Sequence, residues 1–136
     1  MRITEEEDRR RREAETLERL PRALDDVHRA LAGCIQTYQR AFGAESAEIH
    51  LRGAKIDIAV REKEGAAWRQ RAKVTVATVP ELPGFRIEQG EDSLTIEVGL
   101  LPGDKVFYRS GDHYLTLEEL TRRILDRALF PRLKQE

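Results

Sequence analysis

The chain has 136 residues, of which 40% are hydrophobic and 36% charged, and its formal net charge at pH 7 is −1. This length predicts one domain with a single core, and the near-neutral charge argues against a general nucleic-acid-binding protein. A single cysteine excludes an internal disulfide and is compatible with a cytoplasmic location. The sequence shows no signal peptide and no apolar run of membrane-spanning length, so we expect no membrane association.

Residues 1–16 are predicted to form a charged helical extension. The stretch EEEDRRRR places an acidic residue four positions before each arginine from Arg9 to Arg12, the order that stabilises a helix. Residues 5–15 hold six acidic side chains against four basic ones. This stretch neutralises its own cations. It is therefore more typical of a solvated helix that can contact another protein than of a basic arm that binds phosphate.

Residues 17–136 are predicted to form a single α+β domain, which begins with a long helix. Apolar residues recur three and four positions apart, the spacing of a narrow helical seam. Pro21 predicts a kink or a break in this helix, and Cys34 is expected to be buried in the seam. The seam either packs on the sheet of its own domain or pairs with a helix of a second copy or of another protein. The residues predicted for such an interface are Leu17, Leu20, Leu24, Val27 and Leu31.

After the first helix, the apolar spacing changes from the period of a helix to that of a strand. About five to six short strands follow, and glycine-containing turns such as Gly90-Glu91-Asp92 join them as hairpins. A capping box at Thr116 and Glu119 opens a C-terminal helix. The predicted fold is therefore α+β: an N-terminal helix, an antiparallel β-meander and a C-terminal helix, with the helices on one face of a curved sheet.

No pattern in the sequence identifies catalytic residues, a metal site or a cofactor. His50 shares a strand face with Glu48, and Lys55 and Asp57 of the next strand are expected near them, which is more typical of cross-strand charge pairing than of acid–base catalysis. Ser110, Asp112 and His113 are close in sequence, whereas the members of a catalytic triad converge from separate parts of a fold. We interpret that segment as a turn.

The cations of WRQRAKV are the clearest surface signal. In a strand, Arg69, Arg71 and Lys73 would lie on one face of the sheet, about 7 Å apart. Such a face is either merely solvated or a site for an anionic partner, which could be nucleic acid, a phosphorylated ligand or an acidic protein segment. The predicted binding patch comprises Arg61, Lys63, Trp68, Arg69, Arg71 and Lys73.

Three functions follow from these features. The favoured hypothesis is a non-enzymatic protein-interaction module, such as an adaptor, a small chaperone or a subunit of a larger assembly, that forms a homodimer. The alternative is a small-ligand-binding protein or enzyme of the α+β-roll type, with a pocket between the sheet and the helices. Nucleic-acid binding through the cationic strand is the third, and the near-neutral charge and the few aromatic residues argue against it.

Overall fold

The computed structural model describes residues 2–79, 83–101 and 105–129, without the side chains of residues 2–4, 12, 13, 16, 17 and 127. The chain forms an N-terminal helix, seven strands and a C-terminal helix, which confirms the predicted α+β order. The elements are α1 (Arg2–Phe42), β1 (Ala47–Arg52), β2 (Lys55–Glu64), β3 (Ala67–Val79), β4 (Gly84–Gln89), β5 (Asp92–Leu101), β6 (Lys105–Ser110), β7 (His113–Leu115) and α2 (Leu117–Leu129).

The seven strands form one antiparallel sheet in which each strand pairs with its neighbours in sequence. Four of the hairpins have two-residue turns, and each turn begins with a glycine at positive φ: Gly53, Gly65, Gly90 and Gly111. Glycine adopts a positive φ readily because it has no Cβ, and turns of this geometry match the twist of paired strands. The predicted meander is therefore confirmed, with seven strands rather than five to six.

Both helices pack on one face of the sheet, and the core lies between them and the strands. Alternate residues of β2 point into this core, because side chains of a strand alternate between the two faces. Ile56, Ile58 and Val60 are completely buried there, together with Phe85 from β4 and Leu120 from α2. The opposite face of the sheet carries no described helix.

The leucine stripe of α1 belongs to this core. Leu20, Leu24, Val27 and Leu31 are each at most 4% exposed and pack within the core of their own chain. Of the two alternatives for the seam, the structure thus shows packing on the chain's own sheet, and this stripe is not part of the accessible surface. The side chain of the fifth predicted residue, Leu17, lies outside the described residues.

The expected burial of Cys34 is wrong, because this side chain is exposed. A straight α-helix drifts away from a strict seven-residue repeat, by about 20° per heptad. The buried stripe of α1 therefore passes from Leu31 to Ile35 rather than to Cys34. This drift places the only thiol of the chain on the outer surface of the helical layer.

Of the kink and the break that Pro21 predicts, the break does not occur. The first helix runs without interruption for 41 residues and contains Pro21 in its interior. A proline there removes one helical hydrogen bond, whereas burial of Leu20 and Leu24 on either side holds both flanking turns against the core. Packing therefore outweighs the local preference of proline at this position.

The second helix begins with the predicted capping box. The Glu119 N–H donates to Oγ1 of Thr116 at 3.1 Å, and the Thr116 N–H donates to a carboxylate oxygen of Glu119 at 3.2 Å. Shortly before it, Ser110 pairs with His113 across the turn that joins β6 to β7. This pairing confirms that the Ser-Gly-Asp-His segment forms a hairpin turn.

Candidate interaction surfaces

The register of β2 and β3 separates the cations of the predicted binding patch. Ala72 pairs with Val60, but Gln70 pairs with Arg61, so the pairing shifts by one residue. Arg71 is the additional residue of this β-bulge, and the alternation of faces changes beyond it. The expectation that Arg69, Arg71 and Lys73 share one face is therefore wrong.

Arg71 lies beneath the C-terminus of α2. Its Nη2 donates to the backbone carbonyl oxygens of Ala128 and Leu129, at 2.9 and 3.0 Å, and lies 3.4 Å from the Tyr38 hydroxyl. The last carbonyls of a helix lack intrahelical partners, and the helix dipole adds negative potential at that end. Arg71 thus connects β3 to α2, and no pattern in the sequence marks the bulge that directs it there.

Two other arginines of the patch pair with carboxylates. Arg61 donates a hydrogen bond to Glu48, and Arg69 lies 3.3 Å from Glu64. The hydrogen bond from Arg61 lowers the pKa of the Glu48 carboxyl below its ordinary value. Their positive charges are therefore partly compensated within the chain.

The remaining members of the patch lie apart from one another. Lys63 and Lys73 are exposed, and Lys63 pairs with Trp68 close to the β2–β3 turn. Trp68 is half-buried beside the end of α1, where a Cβ added to Gly43 would lie 3.6 Å from its ring. The structure brings these side chains together only in pairs, and whether they bind an anion stays a prediction.

A groove of about 870 Å³ runs along the outer surface between α1 and α2. Its lining is predominantly apolar, and no charged side chain lines it on the α1 side. The α1 wall consists of Ala30, Cys34, Thr37, Tyr38, Ala41 and Phe42. We call this feature the interhelical groove.

The two ends of the α1 wall differ in side-chain size. Ala30 and Cys34 leave space at one end, whereas the rings of Tyr38 and Phe42 stand 4.6 Å apart at the other. Phe42 is 58% exposed. Twelve residues separate Ala30 from Phe42, which corresponds to about 18 Å along the helix. The groove therefore has a recess at one end and a projecting aromatic ring at the other.

The α2 wall combines apolar and charged residues. Leu125 and Leu129 are buried and contribute apolar surface, whereas Glu118, Arg122 and Asp126 follow one another at four-residue spacing along the wall. Arg122 and Glu118 form an ion pair at 3.2 Å. Both signs of charge thus occur along this side of the groove.

Smaller clefts lie where the helices meet the ends of the sheet. One, of about 370 Å³, lies between α1 and the β1–β2 turn, and another, of about 340 Å³, lies between α2 and the β4–β5 hairpin. Neither has a histidine or a cysteine among its described lining residues. The described residues contain no group of three or more histidine, cysteine, aspartate or glutamate side chains that could hold a metal ion.

Comparison of the chain with protein-family models, with curated proteins and with solved structures found no significant match. Neither helix, over the residues described, has the long apolar stretch that crossing a bilayer requires. Among the described surfaces, the interhelical groove is the most extensive apolar cleft of the molecule.

Proposed function

We propose that this protein is a non-enzymatic interaction module that forms a homodimer through the interhelical groove. The observation that carries this proposal is the exposure of Cys34, Ala41 and Phe42 along an apolar groove between two helices. Contiguous exposed apolar surface of this kind marks interaction sites in soluble proteins. The chain's own leucine stripe is occupied by its sheet, which leaves this groove as the apolar surface of the helical layer.

The shape of the groove favours a second copy as its occupant. In a twofold symmetric dimer, the same surface of each copy meets itself. An axis that passes near Thr37, midway between Ala30 and Phe42, brings the Phe42 ring of each copy over the recess beside Ala30 and Cys34 of the other. One rotation therefore fills both recesses.

The charges of the groove also fit such a contact. The α1 wall, which lies at the centre of the proposed interface, contains no charged residue, so no unpaired charge is buried there. Glu118, Arg122 and Asp126 on the α2 wall then lie towards the rim, where polar residues are common in protein interfaces.

The N-terminal part of α1 provides a second surface for an adaptor or assembly subunit. The described side chains from Glu5 to Glu18 are exposed or half-exposed, and among the described side chains of the helix Leu20 is the first that is buried. This portion extends beyond the core, so it remains accessible in the dimer. A single exposed thiol suits a reducing compartment, and we propose the cytoplasm.

Chemical cross-linking tests this arrangement, because Cys34 is the only cysteine. Around an axis near Thr37, the two Cys34 residues are roughly 13 Å apart, given the helical rise and the usual distance between packed helices. A bismaleimide of matching span is expected to produce a covalent dimer at low protein concentration, and Cys34→Ser is expected to abolish it.

A monofunctional maleimide supplies the control for thiol reactivity. If Cys34 reacts completely with that reagent while the bismaleimide yields only monomer, the proposed dimer is wrong. A cross-linked product that also forms in denaturant would likewise contradict it, because random collision would then explain the product.

A further inference from the structure

The sheet face opposite the helices carries an excess of positive charge. The strand register places eight lysine and arginine side chains on it against four aspartate and glutamate side chains, among the described residues. The formal charge of this face is thus about +4, although that of the whole chain is −1. The near-neutral total conceals a separation of charge between the two faces of the molecule.

Two of the four anions on this face pair with arginines and a third accepts a hydrogen bond from a hydroxyl group, whereas Glu88 is exposed. Glu48 accepts from Arg61, Glu97 accepts from Arg109, and Asp57 accepts a hydrogen bond from Thr75 at 3.2 Å. Six cations on the described part of the face are exposed and form no ion pair with a described residue: Arg52, Lys55, Lys63, Lys73, Arg86 and Lys105.

Three of these cations form a row across the strands. Arg52 pairs with Lys55, Lys55 pairs with Ala77, and Ala77 pairs with Arg86. Since neighbouring strands are about 4.8 Å apart, Lys55 and Arg86 are separated by about 10 Å, with the short side chain of Ala77 between them. A shallow depression of about 350 Å³ lies at this place, and its lining includes both cations, Thr75 and the carboxylate of Glu88. The two cations outnumber this carboxylate, so the depression offers room for an anionic group that pairs with Lys55 and Arg86.

An aromatic pair lies on the same face. Phe107 packs over Gly99, and its ring centroid is 5.4 Å from that of Tyr114, which is 64% exposed. The pair lies two strands and four residues away from Arg86, or roughly 16 Å. The row of cations and the aromatic pair are therefore close enough for one extended chain to contact both.

We propose that this face binds single-stranded nucleic acid, whose phosphates pair with Arg52, Lys55 and Arg86 and whose bases stack on Tyr114 and Phe107. A cationic track combined with aromatic side chains is the usual chemistry of single-strand recognition. An acidic polypeptide would pair with the cations but would leave the exposed ring of Tyr114 without a planar partner. In the proposed homodimer the helical layers face each other, so both sheet faces remain accessible.

Fluorescence anisotropy with a labelled oligouridylate of about 12 nucleotides tests this proposal. Lys55→Ala with Arg86→Ala is expected to weaken binding at least about tenfold and to reduce the slope of log affinity against log salt by roughly 1.4. The matched control is Arg22→Ala with Arg123→Ala, which removes two exposed cations from the helical layer and is expected to change neither quantity.

The aromatic contribution is tested separately. Tyr114→Ala is expected to weaken binding about fivefold or more, since one stacked base is lost, and to leave the salt slope unchanged. Circular dichroism verifies that each variant remains folded.

Three results would overturn the proposal: no binding of the oligouridylate at low salt, equal losses in the two double variants, or tighter binding of polyglutamate than of the oligouridylate. If a monomeric protein still binds the oligouridylate, the nucleic-acid proposal remains valid. Failure of this proposal is therefore distinguishable from failure of the proposed dimer.

Discussion

Arg71 holds the junction between β3 and the end of α2. Its guanidinium satisfies two terminal carbonyls of the helix, and hydrogen bonds from a charged donor contribute more than neutral ones. We expect Arg71→Ala to reduce the free energy of unfolding by about 2 kcal/mol, measured by urea denaturation.

Arg69→Ala is the matched control for this prediction. Arg69 is exposed, and its partner Glu64 is exposed as well, so its removal should change the stability by less than about 0.5 kcal/mol. Equal losses in Arg71→Ala and Arg69→Ala would show that the contact with α2 does not stabilise the fold.

Tyr108 makes the free energy of unfolding depend on pH in the alkaline range. Burial raises its pKa from 10.0 to about 12, and the charge of Asp26 adds to this shift. Because the folded state favours the neutral phenol, this contribution is complete below pH 10.0 and is lost as the pH rises towards about 12.

Tyr108→Phe, which has no ionisable group, should therefore lose less stability than the wild type between those pH values. Denaturant unfolding at several alkaline pH values measures the difference. Parallel losses in the two proteins would contradict the assignment.

At the level of single residues, the sequence predicts which residues form the core better than it predicts the direction in which a given side chain points. The leucine stripe of α1 was identified from spacing alone, since burial follows helical periodicity. The positions that the sequence predicts for Cys34 and Arg71 are wrong for geometric reasons: helical drift turns the first, and a β-bulge turns the second. Both effects change the direction of a side chain, and neither can be recognised from the amino-acid composition.

Among the secondary-structure elements, β4 depends on a close backbone contact at Gly84. A Cβ at this position would lie 2.2 Å from the carbonyl oxygen of Ile96, which belongs to the neighbouring strand. Gly84→Ala must therefore displace backbone, and we expect a loss of about 3 kcal/mol in the free energy of unfolding.

Gly33→Ala provides the comparison, because nothing lies within 4 Å of the added Cβ. Gly33 is inside α1, where alanine is the better helix former, so we expect a gain of about 0.5–1 kcal/mol. Thermal or urea denaturation measures both variants. A stability loss at Gly33 as large as that at Gly84 would contradict the packing described for β4.

The helices and hairpins were predictable because their local signals are strong. The capping box at Thr116 and glycines such as Gly90 act within four residues, so their effect does not depend on the rest of the chain. The sequence does not decide between a kink and a break at Pro21, because continuity of the helix depends on burial of the flanking turns against strands that follow later in the sequence.

On the scale of the whole molecule, the two faces of the protein differ in chemistry. The helical layer carries the apolar interhelical groove, and the open sheet face carries the excess of cations. Neither surface follows from composition, because each is assembled from elements that are distant in sequence. The register of the sheet must be known before the charges on one face can be counted.

The mass of the protein in solution shows whether it forms the proposed dimer. Light scattering coupled to size-exclusion chromatography is expected to give twice the 15.7 kDa of one chain for the wild type. Phe42→Asp should yield a folded monomer, since it places a charge in the proposed contact. Tyr114→Asp, which alters an exposed aromatic residue on the opposite face, should remain a dimer. A wild type of 15.7 kDa, or a dimer that tolerates Phe42→Asp, would contradict the proposed dimer.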